Sequence, residues 1–88
     1  MTRFIVIHGL PATVTQDEVI AAGKRVIAQL SDDARWLDSW LVPDDDHLIC
    51  EWEASGEDAI QAALKGVDLF PLQAIYPTER IDPAWFAE

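Results

Sequence analysis

Cysteine is almost absent. The 88-residue chain holds one, Cys50, so no internal disulfide can form and a reducing, cytoplasmic setting is the expectation. Cations are scarce too: six Lys and Arg stand against 16 Asp and Glu, a net charge of -10. Binding to nucleic acid or to an anionic membrane needs clustered cations, so neither is expected as a partner. No apolar run approaches the ~20 residues of a membrane span. The opening MTRFIVIHGLP has too short an apolar stretch for a signal peptide and lacks a small-residue cleavage site. The chain has no internal repeat and no low-complexity tract. Cys-x-x-Cys and His-x-x-x-His spacings, a phosphate loop, a dinucleotide fingerprint and a nucleophile elbow are all missing.

What the chain has is apolar surface. Half its residues are hydrophobic and four are tryptophan, three of them within Arg35–Ala54, RWLDSWLVPDDDHLICEWEA. The length fits one domain, residues 1–88, with 78–88 as a C-terminal tail. A domain this small buries only ~60–65% of its unfolded surface, which makes association with a second copy a natural source of extra stability.

The elements follow from local chemistry. Phe4–Ile7 is continuously apolar and β-branched, ends at His8-Gly9-Leu10-Pro11, and reads as a central strand covered on both faces. Thr15 and Glu18 have capping-box spacing, and Val19, Ala22, Gly23, Val26, Ile27 and Leu30 form one stripe of a helix from about Gln16 to Leu30. A strand over Arg35–Val42, a turn at Pro43–Asp46 and a strand over His47–Glu53 make a hairpin. Ser55 is the expected cap of a second helix, with Ile60, Ala63, Leu64 and Val67 inward and Gly66 at its end. A last strand, about Leu72–Tyr76, is stopped by Pro77. The order β-α-β-β-α-β predicts an α+β, ferredoxin-like fold: a four-stranded antiparallel sheet with both helices on one face.

A four-residue turn fixes which hairpin residues share a face, because side chains alternate along a strand. Leu41 then pairs with Leu48, Ser39 with Cys50 and Leu37 with Trp52, an apolar or small set suited to the helix-covered side. The opposite face carries Trp36, Asp38, Trp40, Val42, His47, Ile49, Glu51 and Glu53. Aromatic surface with no helix over it marks an interface or a ligand site, so two readings stand: a sheet-to-sheet homodimer, and a small-ligand or metal pocket.

Asp38 and Glu51 fall opposite each other in this register, beside Trp36 and Trp40. Carboxylates there can act as proton carriers or as oxygen ligands to a divalent cation, with His47 or His8 adding nitrogen. The expected ligand-binding set is therefore Trp36, Asp38, Trp40 and Glu51, and the expected metal set is Asp38, Glu51 and His47. A solvated rim is the competing role for His47 and Glu53. His8 reads as a surface histidine closing its strand, and Cys50 as a small, inert core residue. Asp44-Asp45-Asp46 lacks the alternation and distal Glu of a calcium loop and reads as a solvated turn. An enzyme with Asp38 or His8 as general base, and a purely structural dimer, are the alternatives.

The residues Trp36, Ser39 and Trp40, then Cys50-Glu51-Trp52-Glu53-Ala54, then Arg80-Ile81-Asp82-Pro83, resemble a small bacterial ferredoxin-like family that includes a nickel-binding group. The resemblance covers nearly the whole chain. It implies the same fold, a dimer, and a divalent metal such as nickel as a cofactor. The family pattern often carries a histidine where Asp38 stands and an acidic–basic pair where Ile7 and His8 stand. Asp38 offers a harder oxygen donor that suits nickel less well.

Overall fold

The alternation of β1 (Thr2–Gly9) decides where the core lies. Phe4, Val6 and His8 point to one side and are buried, while Ile5 and Ile7 point to the other and are half-buried. The strand is central, as its apolar run implies, yet the chain's own helices cover only one of its faces. The computed structural model describes residues 1–87.

Helix α1 (Gln16–Gln29) starts on the Thr15–Glu18 capping box: the Glu18 N–H donates to Thr15 Oγ1 and the Thr15 N–H to Glu18 Oε1. Asp17 and Glu18 sit in the first turn, where the helix dipole favours negative charge. Val26 is its one buried residue, and Ile27, expected on the inner stripe, is exposed. Helix α2 (Glu57–Leu64) buries Ile60 and Ala63. Its N-cap is Gly56 rather than the expected Ser55, and no side chain caps it. Gly66, at φ 74°, takes the left-handed turn that follows. Gln29 Nε2 donates to the Ala63 carbonyl at 2.7 Å, tying the two helices together.

Strands β2 (Ala34–Val42), β3 (His47–Ala54) and β4 (Leu72–Thr78) complete an antiparallel sheet in the order β2-β3-β1-β4. A 3-10 turn at Pro43–Asp45 and a left-handed Asp46 join β2 to β3, the four-residue loop that the hairpin requires. The last strand runs two residues past its expected end and takes in Pro77, which an edge strand tolerates. Phe4, Val6, Val26, Ala34, Cys50, Trp52, Ala54, Ile60 and Ala63 form the core between sheet and helices. Among the described residues no helix is long and apolar enough to cross a membrane.

Two irregularities adjust the sheet. Between Trp36 and Asp38 the pairing skips Leu37, so Trp36 lies opposite Trp52 while Asp38 still lies opposite Glu51. The second falls in β4, where Ile7 pairs with Ala74 but His8 with Leu72. Beyond β4 the tail carries a short 3-10 turn, Pro83–Phe86, capped by Asp82 and with Ile81, Trp85 and Phe86 exposed. The radius of gyration is 14.0 Å, against ~12 Å for a fully compact chain of this length.

Candidate functional site

The bulge at Leu37 changes the composition of both faces. A regular ladder would have put Trp36 beside Asp38 on the open side. One extra residue turns Trp36 to the helix side instead, where its ring stacks on Trp52 with centroids 6.2 Å apart and planes 14° from parallel. Trp36 therefore leaves the expected ligand set. Asp38, Trp40 and Glu51 stay together on the open face, with Trp40 paired to Ile49 and half exposed at 50%.

Around them the open face is apolar with a charged border. Ile5 and Ile7 come from β1, Ile49 from β3 and Tyr76 from β4, in register across the sheet. Glu51 is held by Arg3, with Arg3 Nη1 and Glu51 Oε1 3.2 Å apart. Glu53 lies 3.9 Å from Arg35. Asp38 has no ion-pair partner among the described residues. Facing carboxylates repel across a strand pair, and the Arg3 guanidinium offsets part of that charge. His47 does not join them. It sits at the hairpin end opposite Val42, four residues from Glu51, or ~13 Å along an extended strand. Among the described residues no three His, Cys, Asp or Glu side chains gather into a metal-sized cluster.

The helix side holds Ser39 and Cys50, as expected, and also His8, which the sequence places at the surface. His8 is only 4% exposed, not a surface residue. Its Nδ1 lies 3.0 Å from the Phe70 carbonyl, which can only accept, so Nδ1 carries the proton. Burial holds the ring below its ordinary pKa of 6.5, with the Phe70 contact partly opposing the shift, and the neutral ring keeps its lone pair on Nε2. The parity of Phe4, Val6 and His8 along one strand was the available signal. A histidine two residues beyond two core positions shares their face. Nearby, Trp36 Nε1 donates to Ser39 Oγ at 2.8 Å, and Ser39 Oγ donates to Cys50 Sγ at 3.0 Å. Burial pushes the Cys50 thiol above 9.0, with the Ser39 contact pulling the other way, so it stays protonated and unreactive, as expected of a core cysteine.

The fold and its faces define a class: a small ferredoxin-like α+β protein with one sheet face buried under two helices and the other uncovered. A family model described as "Nickel responsive protein SCO4226-like" matches residues 4–77, and the chain belongs to that family. The crystal structure of SCO4226 from Streptomyces coelicolor A3(2) superposes with a TM-score of 0.75 at 17% sequence identity. The match covers 91% of this chain and 99% of that one, and it shows a shared fold. No curated protein matches the sequence significantly.

Proposed function

We propose that this chain is a homodimeric binding protein for a divalent cation, nickel first among them, working in a reducing cytoplasm. The observation that carries this reading is the pair Asp38 and Glu51, opposite each other on the uncovered sheet face beside Trp40. The family's description as nickel responsive supports the choice of metal. Ile5, Ile7, Ile49, Trp40 and Tyr76 supply apolar surface for a second copy to cover, and such patches mark interfaces on small proteins. Charge points the same way. Two chains of -10 each repel on approach, and a cation held between their carboxylates offsets that repulsion.

One chain offers two carboxylates and no nitrogen at this spot, a donor set that suits hard ions better than nickel. A second copy adds its own Asp38 and Glu51, further oxygen donors and no nitrogen, so the choice of nickel rests on the family description, while the shared carboxylates make dimer and metal site interdependent. Native mass spectrometry of the metal-stripped protein, before and after nickel or zinc, tests both parts. The expected result is a dimer that gains a stoichiometric metal, and an Asp38→Ala variant that gains none. A monomer, or a dimer whose mass does not change with metal, overturns the proposal.

A further inference from the structure

On the helix side of the sheet, away from the carboxylate pair, lies a cavity of about 190 Å³. Ala22 and Gly23 of α1 and Leu64 of α2 roof it, and His8, Cys50 and Trp52 line its floor. The roof is open because these helix residues are so small. A methyl group added at Gly23 would only just reach Trp36, at 3.6 Å. Protein interiors pack to crystal density, and this space, which reaches solvent beside the exposed Leu41, is one that the side chains leave unfilled. An apolar hole of ~150 Å³ is enough to bind benzene. This one has room for a single ring with a small substituent.

The walls decide what kind of ring. No Lys or Arg borders the cavity, so an anionic ligand would be buried without a counter-charge. Ser39 and Cys50 are already engaged in the chain that begins at Trp36 Nε1. His8 is different. Its one side-chain hydrogen bond among the described residues uses Nδ1, which leaves Nε2 of this buried ring as a bare acceptor. Trp52 Nε1–H also lacks a partner among the described residues but is sealed from the cavity, so the accessible acceptor of His8 selects for a ligand with one hydrogen-bond donor, and the partly buried indole of Trp36 favours an aromatic body.

We infer that this cavity binds a small neutral aromatic molecule bearing one hydroxyl, a phenol in chemical class, whose O–H donates to His8 Nε2. The site uses the opposite face of the sheet from the cation site and does not depend on it.

The test is a titration of isotope-labelled, metal-free protein with p-cresol, toluene and benzoate, read by backbone amide NMR shifts. p-Cresol should saturate, shift the amides of His8, Gly23 and Cys50, and bind roughly tenfold more tightly than toluene, the worth of one good hydrogen bond. Benzoate should not bind. In His8→Phe, p-cresol and toluene should bind equally, and Ala22→Phe should fill the space and abolish both. Equal affinity for p-cresol and toluene in the unaltered protein, shifts confined to the open sheet face, or no saturation would overturn the inference. If either variant fails to fold, the ranking of the three ligands on the unaltered protein decides alone. Metal is absent throughout, so failure here leaves the cation reading untouched.

Discussion

Among the described residues Trp52 is the largest fully buried side chain, 1% exposed, and its Nε1–H has no hydrogen-bond partner there. That combination makes an unusual prediction about its replacement by phenylalanine. Trp52→Phe removes two ring carbons, ~1.6 kcal/mol of lost burial at about 0.8 kcal/mol per carbon. It also removes a buried donor left unsatisfied, a burden of about 1–3 kcal/mol. The two effects nearly cancel, and Trp52→Phe should lie within ~1 kcal/mol of the unaltered protein. Trp52→Ala removes the same donor, but it opens a far larger hole under Trp36 and should still cost about 3–5 kcal/mol. In a domain of this size each kcal/mol moves the melting temperature by roughly 4–8 °C, so the variants should separate by about 8 °C or more. Urea unfolding followed by circular dichroism measures both. If Trp52→Phe loses as much as Trp52→Ala, the donor was never a burden and the reasoning fails.

Three further outcomes rest on the same structure. His8 has a lowered folded-state pKa, so below its ordinary 6.5 the unfolded chain takes the proton first and stability falls with acid, while neutral pH retains it in full. Urea midpoints of the unaltered protein and His8→Phe at pH 7.5 and 5.5 should therefore converge or cross toward the acid value; a constant gap refutes the buried neutral ring. Gly66 sits at φ 74° with the Arg25 side chain packed against it, so Gly66→Ala should destabilise by about 1–2 kcal/mol. Gly56 is extended at φ -177° with open space around it, and Gly56→Ser should instead stabilise by about a few tenths of a kcal/mol by supplying the missing N-cap acceptor, with thermal melts reading both.

The elements were legible because their signals are local. The Thr15–Glu18 box, the Pro43–Asp46 turn and the β-branched run of β1 each state a backbone preference within a few residues, and together they allow one common order of helices and strands. Face assignments depend on parity, which one residue can invert. From Leu37 outward a strict alternation puts Trp36 on the wrong side, and nothing in WLDSW announces the extra residue. His8 was misplaced for a different reason. Strand ends are usually solvated, but this one lies against the segment before β4, where the Phe70 carbonyl accepts from His8. Asp38 opposite Glu51 was readable because the turn length alone fixes that pair. The cavity was not readable, since a void is made by what Ala22 and Gly23 do not fill.

The two outer strands share a trait that bears on how copies of this protein meet in a crowded solution. An exposed strand border is a template for endless lateral growth, the route by which sheets zip into fibres. Here β2 is interrupted at Leu37, and β4 carries Pro77, whose nitrogen has no hydrogen to offer a newcomer. Neither border can be extended as an unbroken ribbon. Lateral growth at the margins is thereby blocked, and the homodimer proposed above, closed through the broad sheet surface, is the association that these borders leave open.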